Sequence, residues 1–334
     1  MNRCEKTGKL LLENKAVKLK RVNCWLAVSI LSAALTSFAF LLILLGCTPD
    51  LSNGQQFDPG LYVIDVDGNN PTSLGAIGWT PRWSPDGNQI VYVSNIYDVA
   101  SNSTDTEIRV VNADGSGQRT LFRAVWPTSG PLGFGGFWSR DAKHIAFYVW
   151  DKDKQKIAVI NTDGSELKTM EELDESFPGM FGYSPDGQKK IMTTDTNEIY
   201  VVQLDSGEKT LVGIGYDATW SNDSKQIIFS NNKDGEICVT NADGGCLTKL
   251  GRKGHACAVS PDGSRIVFVV TEWTLNPRKH GPDNLYLMNS DGSNYVRLTS
   301  SSTDEDLPAW SPDGKKIVFE VRQESRGIFS SGSD

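Results

Sequence analysis

Histidine and cysteine are scarce in this sequence, and so are the motifs that they usually build. The 334 residues include three His and six Cys, and Cys238, Cys246 and Cys257 are the three cysteines beyond residue 47. Their spacings form no Cys-x-x-Cys pair and His255 is the one histidine near them, so no metal site is predicted. A Gly-x-Ser-x-Gly motif is also lacking, which removes the usual sequence mark of an α/β-hydrolase.

Cys238 and Cys246 lie on either side of a short turn at residues 241–244. Two interpretations stay open for this pair. In an oxidising compartment the two thiols would form a disulfide across the hairpin, and otherwise they are buried free thiols.

Positive charge is in short supply outside the N-terminal segment. The chain has 33 Lys and Arg against 41 Asp and Glu, a formal net charge of −8, and residues 1–47 hold seven of the basic residues and two of the acidic ones. The remainder is therefore more acidic than the whole. An acidic surface repels phosphate backbones, so we predict no nucleic-acid partner, while cations and basic protein surfaces stay compatible.

One short pattern occurs six times: an aromatic or apolar residue, Ser, usually Pro, Asp and usually Gly. The copies begin at Trp83, Trp138, Tyr183, Trp220, Val259 and Trp310. A second pattern, Asn or Asp followed by any residue, Asp and Gly, ends at Gly68, Gly115, Gly164, Gly244 and Gly292, with a degenerate copy at residues 205–207. Both patterns predict tight turns that the Ser and Asp side chains cap. A ring of six Asp acting as metal or acid sites is the alternative.

The segments between these turns predict β-strands. Residues 89–93, 266–270 and 317–319 are short and rich in β-branched and aromatic side chains, which favours strands over helices. Two hairpins in a unit of about 40 to 50 residues are the signature of a propeller blade. The predicted fold is all-β: a six-bladed β-propeller of four-stranded antiparallel blades.

The order of the two patterns predicts how the ring closes. The repeats start with the second half of a unit, residues 61–74, and end with the first half of one, residues 308–321. Pairing of the N-terminal and C-terminal hairpins would complete a blade and leave no open sheet edge. The predicted organisation is a signal or anchor segment at 1–47, a linker at 48–60, the propeller at 61–323 and a flexible tail at 324–334.

The repeat resembles a known family. Trp-Ser-Pro-Asp-Gly-x-x-Ile-Val-Phe at residues 310–319 and the segment from Leu285 to Thr299 are similar to the TolB-type propeller repeat, a WD-like repeat of bacterial envelope proteins. The resemblance covers about residues 61–321 and implies a protein-binding propeller, with a peptidoglycan-associated lipoprotein as one partner. The α/β domain that precedes the propeller in TolB is not expected here.

The N-terminus predicts attachment to a membrane. Residues 1–24 are rich in Lys and Arg, and residues 25–45 carry no charge, as in a signal segment. The apolar run ends at Leu44-Leu45-Gly46-Cys47, which looks like a bacterial lipobox and makes Cys47 the predicted lipidation site. An uncleaved signal anchor is the alternative, because about 20 apolar residues span a bilayer. Both place the propeller in the cell envelope, outside the cytoplasm.

The turns of both patterns are predicted to gather on one face, the turn face, and the longer connections on the opposite one, the loop face. Loops on a rigid scaffold commonly carry binding residues. The predicted binding residues of the loop face are Tyr97, Trp126, Phe134, Phe177, Tyr216, Asp217, His255, Trp273, Arg278, His280, Glu305 and Asp306. For each of them, solvation or local packing is the alternative.

These observations predict a non-catalytic binding or scaffold module that takes a protein or a glycan and needs no cofactor. Two other classes stay open. One is an enzyme, a hydrolase or polysaccharide lyase, whose site in the central funnel would require His255 and acidic residues such as Asp217 to converge. The other is a sensor of a small ligand or cation.

Overall fold

The computed structural model describes residues 57–98, 103–124, 135–151, 154–170, 177, 182–273 and 280–322. The predicted segments at 1–47 and 324–334 lie outside these residues. Within the described ranges, no helix is long and apolar enough to cross a membrane.

Strands dominate the described residues. In chain order they are β1 (Gly60–Asp65), β2 (Thr72–Ser73), β3 (Trp79–Trp83), β4 (Gln89–Asp98), β5 (Ser103–Asn112), β6 (Arg119–Ala124), β7 (Phe137–Trp138), β8 (His144–Asp151), β9 (Lys154–Asn161), β10 (Lys168–Met170), β11 (Lys189–Thr193), β12 (Glu198–Gln203), β13 (Lys209–Trp220), β14 (Gln226–Asn231), β15 (Glu236–Asn241), β16 (Thr248–Lys253), β17 (His255–Val259), β18 (Arg265–Trp273), β19 (His280–Asn289), β20 (Val296–Arg297), β21 (Asp304–Trp310) and β22 (Lys316–Arg322).

Hydrogen bonds join these strands into five sheets in the described residues, whereas the sequence predicts six. Four sheets have four strands each, and the fifth has six, in the order β11-β12-β13-β14-β15-β16. The cause is β13, which runs on without a break: its residues 209–214 pair with β12 and its residues 215–220 pair with β14. An all-β propeller of small antiparallel sheets is therefore confirmed, and a set of six separate four-stranded sheets is not.

The hydrophobic core lies between neighbouring sheets. One cluster joins Val91 of β4 and Val110 of β5 to Phe147 of β8 and Ile160 of β9. The inner strands of a sheet are thus covered on both sides, and β22 is buried along all of its residues except the first and last. Burial on both faces explains why these strands read as continuous apolar runs in the sequence.

The two kinds of turn lie on the same face. In each unit, a backbone N–H of the second turn donates to the carbonyl that follows the first turn, at 2.8 to 3.1 Å. The six bonds are Val66 to Lys315, Ala113 to Asn88, Thr162 to Lys143, Leu204 to Gln188, Ala242 to Lys225 and Ser290 to Ser264. The turn face predicted from the sequence is therefore present in the structure.

The first and last described strands lie in one sheet, in the order β2-β1-β22-β21. β1 and β22 are antiparallel, with Gly60 opposite Val321 and Asp65 opposite Lys316. The packing of this sheet also involves Phe57, three residues before β1, which packs on Tyr62 and Phe319.

Candidate binding face and central cavity

The recurring Ser and Asp of the first turn bond to each other. In all six copies the Ser hydroxyl donates to the Asp Oδ1 at 2.5 to 2.7 Å and accepts the backbone N–H five residues later at 2.9 Å. The same Oδ1 accepts a second backbone N–H two residues after the Asp, for example Ser264 N to Asp262 at 3.0 Å. These bonds hold the turn closed, as the capping interpretation predicts.

The same bonds explain the acidity of these carboxyls. The Ser hydroxyl and the backbone N–H lower the pKa of Asp86, Asp141, Asp223 and Asp313, and that of Asp262 to about 2. At Asp186 burial is the largest influence and raises the pKa, but the bonds from Ser184 and Gln188 outweigh it. Among the described residues no cluster of His, Cys, Asp or Glu could hold a metal ion.

The strand that precedes each first turn has an unusual backbone. Thr80, Asp217, Ala256 and Leu307 all have positive φ angles, between 48° and 53°, and each stands three residues before the residue that opens the repeat. The pairing register of β3, β13, β17 and β21 shifts at this point, as in a β-bulge. Residues other than Gly rarely adopt a positive φ. Such strained positions and β-bulges often occur beside binding sites.

β13 contacts β17, β17 contacts β21 and β21 contacts β3, and these four strands line a cavity of about 520 Å³. Its lining includes residues at three successive positions of these strands, and each set of equivalent positions is called a layer. The layer of Thr80, Asp217, Ala256 and Leu307 is followed by Pro81, Ala218, Cys257 and Pro308, and then by Arg82, Thr219, Ala258 and Ala309. The volume is in the range of small-molecule sites.

Arg82 is the positively charged residue among the described residues that line this cavity. Its guanidinium carbon lies 4.1 Å from the centre of the Phe137 ring, and Phe137 is buried. Arg82 is exposed, and its guanidinium is charged at neutral pH. The backbone is also held, because Trp138 Nε1 donates to the Arg82 carbonyl at 3.1 Å.

His255 lies among acidic residues beside this cavity. Its Nε2 is 3.9 Å from Asp283 Oδ1 and 3.4 Å from Thr271 Oγ1. Asp217 Oδ2 accepts the N–H of the next residue, Ala256, at 3.2 Å. Burial alone would lower the pKa of His255, but Asp283, Asp306 and Asp217 together raise it.

His255 and Asp217 thus come close together, as an enzyme in the funnel would require, but the hydrogen-bond geometry does not build a nucleophile. In a catalytic triad, one ring nitrogen of the His accepts a hydrogen bond from the nucleophile, and the other ring nitrogen donates one to the carboxylate. Thr271 and Asp283 both approach Nε2. The thiol in the cavity wall, Cys257, is also poorly suited, because burial raises its pKa well above the usual value and keeps it protonated.

The structure divides the predicted binding residues by exposure. Tyr216 is 45% exposed, and its hydroxyl approaches the Asn232 carbonyl at 3.5 Å. Phe177 is buried in a hydrophobic cluster, so its side chain offers no surface contact. Glu305 is fully buried and accepts hydroxyl bonds from Thr299, Ser301 and Thr303.

Asp306 is also largely buried, and its Oδ2 lies 2.7 Å from Arg322. Local packing therefore accounts for Phe177, Glu305 and Asp306, while Tyr216, Asp217 and His255 remain accessible.

For seven predicted residues, six of the loop face and the lipidation site, the structure does not describe the side chain. The backbone puts Tyr97 in β4, Trp273 in β18 and His280 in β19, with Trp273 opposite His280, but their side chains are not among the described ones. Trp126, Phe134, Arg278 and the lipidation site Cys47 lie wholly outside the described residues.

No disulfide joins Cys238 to Cys246 in the described residues. Cys238 is a buried free thiol whose Sγ lies 3.5 Å from the Glu236 carbonyl. In the register of β15 and β16, Cys238 stands opposite Lys249, three residues beyond Cys246. Cys246 instead has a positive φ of 55° at the end of the turn and is exposed, so the strand register separates the two sulfur atoms.

Arg82 was missed by the sequence reasoning, although a signal for it exists. It occupies the position just before the residue that opens each repeat, and the other five copies have Phe137, Gly182, Thr219, Ala258 and Ala309 there. Alignment of the six units would have shown one charged residue at an otherwise small or apolar position.

Comparison with protein families gives one match to a family model. Residues 96–273, more than half of the chain, match the TolB beta propeller domain.

Matches to curated proteins are partial. A segment of 111 residues is 32% identical to the Tol-Pal system protein TolB of Helicobacter hepaticus and covers 32% of this chain and 26% of that protein. Another, of 112 residues, is 28% identical to dipeptidyl-peptidase 5 of Porphyromonas endodontalis and covers 34% of this chain and 15% of that protein. The matches thus span about a quarter or less of these relatives' length.

A solved structure shares the fold. TolB from Acinetobacter baumannii superposes with a TM-score of 0.54 at 20% sequence identity, over 75% of this chain and 62% of that one. At this identity the likeness is one of fold alone.

Proposed function

Since the chain belongs to the TolB beta propeller domain family, we propose that it serves as a non-catalytic protein-binding module of the bacterial cell envelope. One curated relative is named a Tol-Pal system protein, and the partner that we propose is accordingly an envelope protein, first of all a peptidoglycan-associated lipoprotein. The working surface is the loop face, together with the mouth of the central cavity.

The observation that carries this assignment is that the recurring polar groups of the turn face are hydrogen-bonded within the fold. Six Ser–Asp pairs and six bonds between turns engage the recurring Ser and Asp side chains and the turn backbone of this face, so these groups are committed to the fold. On the loop side, Tyr216 is exposed, and His255 and Asp217 are accessible. Aromatic residues are enriched among the anchors of protein interfaces, and the acidic groups suit a basic partner surface.

We further propose that the propeller is a closed ring of six blades, in which the six-stranded sheet comprises two blades that share β13. The six equivalent bonds between turns support six units, and one of these bonds joins Val66 to Lys315. The pairing of β1 with β22 supports closure by the two ends of the propeller. A closed ring protects sheet edges from pairing with other chains.

Attachment to the membrane through a lipid on Cys47 is part of the same proposal, and it rests on the sequence alone. Cys47→Ala should abolish labelling of the chain by a radioactive or clickable fatty acid and change its processed size. A wild-type chain whose mature N-terminus precedes Cys47 would contradict the lipid anchor and favour the uncleaved signal anchor.

The partner surface can be tested with the detergent-solubilised full chain. The loop-face variant combines Tyr216→Ala, Trp273→Ala and Arg278→Ala. Anchors of this kind contribute about 2 kcal/mol or more each, so binding to purified peptidoglycan-associated lipoprotein should weaken at least tenfold in calorimetry, with the circular dichroism unchanged.

The matched control reverses charge on the turn face with Lys225→Glu and Lys315→Glu. Both side chains are more than three-quarters exposed and contact a turn Asp, Asp223 at 3.5 Å and Asp313 at 3.9 Å. The control should bind like the wild type. Loss of binding in the control but not in the loop-face variant would place the partner on the opposite face, and a wild type that binds no envelope protein would refute the proposal.

A further inference from the structure

The layer of the cavity that contains Arg82 is asymmetric. The equivalent position of the other units is occupied by Phe137, Gly182, Thr219, Ala258 and Ala309. Thr219, Ala258 and Ala309 line the same cavity as Arg82. A long cation thus faces small side chains across the cavity, which leaves space beside the guanidinium.

The guanidinium is available for a ligand. Arg82 has neither an ion pair nor a side-chain hydrogen bond among the described residues, and the contact of the group is with the face of the Phe137 ring at 4.1 Å. Stacking of this kind uses the flat face of the guanidinium and leaves its N–H groups, which lie in the plane, free to donate. The Phe137 ring is buried and the Arg82 carbonyl is bonded to Trp138, while Arg82 itself is exposed, so the guanidinium rests on the ring and is accessible to a ligand.

Most of the polar groups around Arg82 are already engaged by the protein. Thr80 Oγ1 donates to the Trp79 carbonyl at 2.8 Å, and Asn222 Nδ2 donates to the Ser260 carbonyl. Much of the remaining wall is apolar, with Pro81, Ala218, Val259, Leu307 and Pro308 among its residues. A ligand would therefore meet one cation and a wall that is partly apolar and partly polar, with Asp217 and Thr219 among its polar residues.

The charge of the wall limits the ligand further. Asp217 lines the same cavity, and the chain carries a net charge of −8. A second negative charge on the ligand would be repelled, which disfavours phosphate and polyanions. A planar carboxylate matches the paired donors of a guanidinium.

We propose that the central cavity is a binding site for a small organic monocarboxylate with an apolar or aromatic body, in which Arg82, held on Phe137, binds the carboxylate. This site goes beyond the protein-binding role. Its test uses small molecules alone, so either proposal can fail while the other stands.

The probe is benzoate, with benzamide as its uncharged counterpart and inorganic phosphate as a second anion. In calorimetry with the full chain, benzoate should bind at least tenfold more tightly than benzamide or phosphate. Arg82→Met keeps the length of the side chain and removes the charge, so it should weaken benzoate binding at least tenfold and leave benzamide unaffected.

The matched control is Arg265→Met. Arg265 also stacks on an aromatic ring, 5.1 Å from the centre of Trp310, but its guanidinium bonds to the Gly314 carbonyl on the turn face. This variant should bind benzoate like the wild type. A second variant, Thr219→Leu, keeps Arg82 and fills the space across the cavity, so it should weaken benzoate binding too, and it keeps the proposal testable if Arg82→Met does not fold.

Two results would overturn the proposal. One is a folded wild type that binds benzoate no better than benzamide at millimolar concentration. The other is benzoate binding that survives both Arg82→Met and Thr219→Leu.

Discussion

Each Ser–Asp turn behaves as a single hydrogen-bonded unit. In the copy at residues 259–263, the Ser260 hydroxyl donates to Asp262 at 2.6 Å and accepts the Arg265 N–H at 2.9 Å. Ser260 is buried. Without its hydroxyl the Arg265 N–H would lose its acceptor, and bringing in a water molecule instead would cost free energy. The Ser is therefore the residue on which the turn depends most.

Ser260→Ala should lower the free energy of unfolding by about 1 to 3 kcal/mol, because it leaves a buried donor without its acceptor. Chemical denaturation followed by circular dichroism would measure this change. Ser264→Ala is the matched control: Ser264 also donates to Asp262 but is exposed, and its loss should cost less. Equal costs would show that burial of Ser260 is unimportant.

Acid should destabilise the propeller through the same turns. A carboxyl whose pKa is lower in the folded than in the unfolded chain stabilises the fold above the unfolded value, about 3.9, and this contribution is lost as pH falls through the folded value. For Asp262 the folded pKa is about 2, so the loss falls between about pH 4 and pH 2. Asp262→Asn should flatten the dependence of the urea midpoint on pH in this window, and an unchanged dependence would contradict the assignment.

Glu305 should have the opposite pH dependence. Burial raises its pKa to about 7 despite the bonds from Ser301, Thr299 and Thr303. Its contribution to stability is complete below the unfolded value, about 4.3, and is lost as pH rises through about 7. A Gln at this position would not ionise, so the melting temperature of Glu305→Gln relative to that of the wild type should be higher at pH 8 than at pH 5. A variant that loses the same stability at both pH values would contradict this.

The residues of the turns could be predicted from the sequence because the same chemistry recurs six times. The burial of Glu305 could not, since residues 300–307 read as a polar loop and their enclosure depends on packing against distant strands. The left-handed conformations of Thr80 and Leu307 were equally hidden, because neither residue type favours them. Arg82 and Phe137 meet only once neighbouring units are packed side by side.

At the scale of elements, strand pairing maintains the bulges. A non-Gly residue with positive φ costs about 1 to 3 kcal/mol, and β17 continues its pairing with β18 on both sides of Ala256, from His255 opposite Val269 to Ala258 opposite Val267. The strand pairing on both sides of the bulge therefore holds Ala256 in its left-handed conformation. Asp217 Oδ2 accepts the Ala256 N–H in this conformation.

Deletion of the hairpin at residues 308–321 should give an aggregated or unfolded product. It removes Trp310, Ile317 and Phe319 from the core and exposes the edge of β1, and the loss of a buried side chain of this size costs about 2 to 5 kcal/mol. Size-exclusion chromatography and thermal melting would show the effect.

Removal of residues 324–334 is the control, and it should be nearly neutral. A chain without the hairpin that melts like the full-length protein would mean that β22 does not support the fold.

For the whole molecule, the pairing of β1 with β22 places the two ends of the propeller side by side. Opposite residues of an antiparallel pair are about 5 Å apart, and Gly60 is opposite Val321. A circular permutant that joins residue 322 to residue 57 by a short Gly-Ser linker, with new ends between Asn232 and Lys233, should therefore fold with a similar circular dichroism spectrum. A permutant that folds only with a long linker would contradict the proposed closure.

The same strand pair also determines how the propeller would respond to mechanical tension. β1 begins where β22 ends, since Gly60 pairs with Val321. A force that pulls the two ends of the propeller apart therefore acts first on this residue pair and reaches the others one after another. The hydrogen bonds of this strand pair would therefore break one after another, at low force. If the same bonds were loaded together in shear, a much higher force would be needed.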